Sequence, residues 1–188
     1  MRVRKLLGTG YVILIASGLC ACGSSGSVNN LTPETVLFDV FSINYAWGFD
    51  CGGCYIDADG NVHRYDCSAL QDTIRSEQWR GRERELLERR FHMNDTVVCR
   101  VEPDELKSMR ILLQEAAKTP PSEEMQSAYD AGSTRVSAYL YEPNSTDSSE
   151  VLLATSGDFS RKPSSAAADT LVTWLRRACS CRSSDTAQ

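Results

Sequence analysis

Past residue 34 the chain alternates between runs rich in β-branched and aromatic residues and runs with helical spacing. Thr35 to Trp47, TVLFDVFSINYAW, reads as one long strand. Tyr55 to Ala58 and Asn61 to Tyr65 flank Asp59-Gly60. That pair between two strand-like runs predicts a hairpin with a two-residue type I′ turn, because such a turn wants positive φ at both central residues. In that register Gly52 faces Cys67, within bridging reach of Cys51 or Cys54. Ser68 to His92 reads as helix, broken near Gly81, with Trp79, Leu86, Leu87 and Phe91 on one face. Thr96 to Val101 is a strand around Cys99.

A second helix starts at Pro103, with Asp104 and Glu105 at the positive end of its dipole, and stops at Pro120-Pro121. Leu106, Met109, Leu113 and Ala116 or Ala117 keep its apolar spacing. Ser122 to Gly132 is polar and reads as loop. Thr134 to Tyr141 alternates, Glu150 to Thr155 is a further strand, and Pro143 to Ser149 joins them. The last helix is capped by Ser164 or Ser165, and Ala167, Leu171, Trp174, Leu175 and Ala178 form its buried stripe. Met109, Leu113, Leu171, Trp174 and Leu175 are the expected contacts with the sheet. The order predicts an α+β fold: an antiparallel sheet of about five to six strands, helices on one face, braced by disulfides.

The N-terminus has a different pattern. MRVRKLLGTGYVILIASGLCAC carries a basic start at Arg2, Arg4 and Lys5, then an apolar stretch from Leu6 to Leu19 that is short for a membrane span. Leu19-Cys20-Ala21-Cys22 resembles the lipobox of bacterial lipoproteins, with Leu at −3, a small residue at −1 and Cys at +1. The resemblance implies cleavage before Cys22, acylation of Cys22 and anchoring in a lipid bilayer. It divides the chain into a signal peptide (1–21), a lipidated polar tether (22–33), one domain (34–181) and a loose tail (182–188). It places the protein in the cell envelope, in the outer membrane if the source is Gram-negative, because no Asp follows Cys22 as a retention signal.

Composition changes the picture in two ways. The full chain has 188 residues and net charge −5. Removing residues 1–21 takes away three basic and no acidic residues, leaving about −8. That argues against a nucleic-acid partner, which would call for a basic face. Beyond Cys20 and Cys22 there are six cysteines: Cys51, Cys54, Cys67, Cys99, Cys179 and Cys181. In an exported chain an even set predicts disulfides. Cys179 and Cys181 are poorly spaced to pair with each other and are expected to clip the last helix to Cys99 or to the hairpin.

The chemistry is thin. Asp50-Cys51-Gly52-Gly53-Cys54 contains Cys-x-x-Cys, but it leads into a hairpin rather than the helix that would lower a thiol's pKa. A zinc set of Cys51, Cys54, Cys67 and His63 has suitable ligand types and lacks a second Cys-x-x-Cys. Asp57 to Asn61 looks like part of a calcium loop, yet with Gly60 at position 6 the first position is Tyr55, which is no ligand. His63 and His92 are the two histidines, and no Gly-x-Ser-x-Gly, His-Glu-x-x-His or P-loop occurs. Asp95, Asp158 and Asp169 read as caps and turns. Arg80 to Arg90 is a charge run that suits a solvated helix face or an acidic partner. No catalytic residue, metal or cofactor is therefore expected.

Pro103-Asp104-Glu105-Leu106 to Ala117, then two strands, then Leu171-Val172-Thr173-Trp174-Leu175, resembles the element order of the emfourin-type metalloprotease inhibitors and of several envelope lipoproteins. The resemblance covers about residues 35–67 and 97–178. The Ser68–His92 segment and the cysteines depart from the inhibitor pattern, so no inhibitory residue is carried over. The expected function is a membrane-anchored, non-catalytic interaction or binding module with a protein or envelope partner. The alternatives are a protease inhibitor and a thiol redox protein using Cys51 and Cys54.

Overall fold

A computed structural model describes residues 35–44, 46, 48–70, 95–141 and 148–181. The expected signal peptide, the expected lipidation site Cys22 with its expected tether, most of the expected Ser68–His92 helix with its Arg80–Arg90 run and His92, and the expected tail lie outside the described residues.

Six strands form one antiparallel sheet: β1 (Val36–Asn44), β2 (Asp50–Asp57), β3 (Asn61–Asp66), β4 (Thr96–Arg100), β6 (Ser133–Tyr141) and β7 (Ser148–Gly157), in the order β4-β3-β2-β1-β6-β7. Among the described residues two α-helices, α1 (Pro103–Ala116) and α2 (Ala166–Cys179), join the sheet in an α+β architecture. The expected first strand ends at Asn44 rather than Trp47, and the last sheet strand is longer at both ends than Glu150–Thr155. The segment expected as loop holds β5 (Met125–Gln126), which pairs with β8 (Phe159–Ser160) beyond the sheet.

The main core lies between helices and sheet. Leu171 and Leu175 are fully buried there with Phe38, Ile56, Val62 and Leu153. A bulge in β1 between Val36 and Phe38 lets both Leu37 and Phe38 enter this core, where strict alternation would send one of them to the other face. Phe38 meets Trp174 edge-on at 5.0 Å. The Trp174 indole N–H donates to Glu105 at 3.0 Å, tying α2 to the start of α1. Ser165 caps α2, its hydroxyl accepting from the Ala168 N–H at 3.1 Å. Leu113 is buried as expected, whereas Met109 is only partly so, because α1 leans on the core through Leu106, Leu113 and Ala116.

The opposite sheet face is also apolar. Phe41, Cys51, Tyr55, Tyr65, Cys67 and Tyr139 are buried there as a second cluster. The buried Asp39 carboxylate on this face accepts from the Tyr65 hydroxyl at 2.9 Å.

Candidate functional site

The β2–β3 hairpin carries most of the residues singled out for chemistry. Its turn differs from the expected two-residue I′ form. Ala58, Asp59 and Gly60 make a three-residue connection, with the Gly60 N–H donating to the Asp57 carbonyl at 3.1 Å. Of these, only Gly60 has positive φ, at 86°. A three-residue loop ending in a left-handed glycine is the next commonest hairpin connection. The added residue moves the register by one. Gly52 faces Asp66, and Cys51 stands opposite Cys67, whose N–H donates to the Cys51 carbonyl at 2.8 Å.

Strand parity then separates the two halves of Cys-x-x-Cys. Residues three apart in a strand point to opposite faces. Cys51 joins the second cluster and bonds to Cys67, with 5.0 Å between Cα atoms. Cys54 enters the helix-side core and bonds to Cys179 at the end of α2, 5.8 Å away. Cys99 of β4 bonds to Cys181, 6.5 Å away. The last helix is thus clipped both to the hairpin and to Cys99. Arg64, opposite Cys54 in register, donates to the carbonyls of Cys179 and Cys181 at 3.1 Å each. A guanidinium there meets the negative end of the α2 dipole.

On the second face the hairpin builds a polar cluster. Tyr55 and His63 stack with centroids 4.3 Å apart and planes 7° apart. His63 Nε2 lies 3.0 Å from an Asp57 carboxylate oxygen and Nδ1 lies 3.0 Å from Asp95. The Tyr55 hydroxyl donates to the same Asp95 oxygen at 2.8 Å. The buried Asp57 carboxylate also accepts from the backbone N–H groups of Asp59 and Asn61 and from the Asn61 amide. It therefore organises the turn and holds the histidine at once. The group ties the hairpin to Asp95, the residue just before β4.

No protein-family model, curated protein or solved structure matches the chain.

The remaining candidates disperse. Cys51, Cys54, Cys67 and His63 do not converge: the three sulfurs are bound in two disulfides on two faces, and His63 is held by carboxylates. Asp57 faces His63 and its own turn rather than an outward ligand loop. Asp158 accepts from the Ala131 N–H at 2.8 Å, a turn role, and Asp169 sits in the first turn of α2. Asp95 differs from its sequence reading: its side chain completes the histidine cluster instead of capping a turn. It is 32 residues from His63 in sequence, and no local spacing announces that pairing. Asp66 accepts from the Ser68 N–H at 2.8 Å. That backbone bond, helped by the Ser68 hydroxyl, holds its carboxyl below the ordinary value of 3.8.

Proposed function

We propose that the chain is an envelope lipoprotein, anchored through acylated Cys22, whose disulfide-braced domain is a non-catalytic binding module. One observation carries the reading. All six cysteines of the domain are engaged in three disulfides, and the two of Cys-x-x-Cys are bonded to different partners on different faces. A thiol redox centre works by forming and opening a bond between its two neighbouring cysteines. Cys51 and Cys54 would have to leave a strand and cross the sheet plane to do so. Cysteines spent on bracing suit an oxidising compartment, as the lipobox-like Leu19–Cys22 also implies.

Two measurements test the two halves of the proposal. Labelled palmitate enters the wild-type protein and is lost in Cys22→Ala; unchanged labelling of that variant moves the anchor or removes it. An insulin-reduction assay shows no turnover for the oxidised or reduced domain above a Cys54→Ala control. Turnover dependent on Cys54 would replace the module reading with the redox one.

A further inference from the structure

A cleft of about 250 Å³ opens between α1 and the ends of β1 and β6, away from the hairpin cluster. Its apolar part is the buried Leu37 and Leu113 with the half-buried Leu140. Its polar part comes from one flank of α1, where Lys107, Arg110 and Gln114 follow at i, i+3 and i+7 and so share a face. Most cations of the described residues have an acceptor: Arg64 and Arg100 on backbone carbonyls, Lys118, Arg135, Arg161 and Arg177 on carboxylates. Lys107 and Arg110, like Lys162 and Arg176, have no ion pair among the described residues, but this pair lines one cleft.

We infer that this cleft binds a carboxylate carried on a compact apolar group. A guanidinium offers two parallel N–H donors that match a carboxylate, an ammonium adds a point charge, and the Gln114 amide adds a neutral donor. The exposed Ile111 and half-buried Leu140, with the methylene stems of Lys107 and Arg110, accept the apolar body, while Leu37 and Leu113 form only the floor. Size sets the limit. The cleft is small, about 250 Å³, below the usual range of drug-sized pockets. A short alkyl or aryl acid fits that space, and so does the C-terminal residue of a peptide ending in Leu or Phe. A two-chain lipid does not. The inference gives a ligand class to the binding module proposed above and rests on that reading. Its failure stays distinguishable, because palmitate labelling and thiol turnover do not depend on the cleft.

The test uses the full oxidised protein in nanodiscs and calorimetry. The probes are hexanoate, hexanamide, and N-acetyl-glycyl-leucine as free acid and as amide. Saturable heat is expected from at least one acid and from neither amide. Lys107→Glu with Arg110→Glu weakens the acid about tenfold or more, the scale of a lost charge-assisted hydrogen bond. Empty nanodiscs serve as the blank for partitioning into the bilayer. Binding of hexanoate alone marks a free acid as the source; binding of the peptide acid alone marks a chain terminus. If the double variant melts early, Lys107→Ala with Arg110→Ala is read in its place. Equal binding of acid and amide, affinity unchanged by charge reversal, or no saturable heat up to about 10 mM overturns the assignment.

Discussion

Asp57 concentrates more of the hairpin's order than any nearby residue. Its carboxylate serves two backbone N–H groups, the Asn61 amide and His63. Asp57→Ala leaves those donors without their acceptor in a buried place, and roughly 3 kcal/mol of stability is expected to go. A urea melt measures it; a loss under about 0.5 kcal/mol would place Asp57 with ordinary surface positions. Gly60 is limited differently. Its φ of 86° suits glycine, and a Cβ there would lie 3.0 Å from the Val101 carbonyl oxygen. Gly60→Ala is expected to cost about 1 to 2 kcal/mol, the usual penalty for a left-handed residue with a Cβ. Asp66 gives a pH signature. Because its folded pKa is depressed, its support of the Ser68–Leu70 turn is complete above the ordinary 3.8 and is lost as pH falls through the lower folded value. The Ser68 amide resonance follows that step in an acid titration, and Asp66→Asn abolishes the step.

Among the elements, α2 couples the most parts. Leu171 is fully buried, Ser165 caps the start, and Arg64 with two disulfides holds the end. Leu171→Ala is expected to cost about 2 to 5 kcal/mol, the range for a buried leucine, by thermal or chemical unfolding. α2 was legible because its apolar spacing, cap and final arginines agree with one another. The strands of the sheet were legible for the same reason, from alternation. What sequence reading lost was register. A one-residue difference in the turn at Ala58–Gly60 exchanges the partner of Cys67, and Asp-Gly is compatible with both loop lengths. The separation of Cys51 from Cys54 was readable in principle, since a spacing of three in a strand puts them on opposite faces. Asp95 was not readable, because its meeting with His63 depends on how β4 docks against β3. The bulge at Leu37 shows only as three apolar residues in a row, Val36, Leu37 and Phe38, a pattern that a strand buried on both faces shares.

For the whole molecule the disulfides join parts far apart in the chain, with separations of 16, 125 and 82 residues. In the chain-entropy account, closing a loop of about 15 residues stabilises by roughly 3 kcal/mol and one of about 100 by nearly 5. Cys54→Ala with Cys179→Ala is therefore expected to destabilise more than Cys51→Ala with Cys67→Ala, measured by guanidinium melts of the two variants. Non-reducing peptide mapping of the native protein should yield three linked pairs, Cys51 with Cys67, Cys54 with Cys179, and Cys99 with Cys181. A peptide joining Cys51 to Cys54 would contradict the architecture.

The order of those pairs along the chain bears on how the protein is made. Numbered as they leave the ribosome, the cysteines of the domain connect first to third, second to fifth, and fourth to sixth. If the chain is exported, as proposed above, an oxidant acting on neighbours as they emerge would join first to second, third to fourth and fifth to sixth, and every one of those links is foreign to the finished fold. The partners of Cys54 and Cys99 arrive only with the final stretch of the chain. Maturation in the cell should therefore lean on thiol shuffling rather than on oxidation alone. A strain lacking its disulfide isomerase would be expected to accumulate misbridged, protease-sensitive protein, while one with excess oxidant would gain nothing.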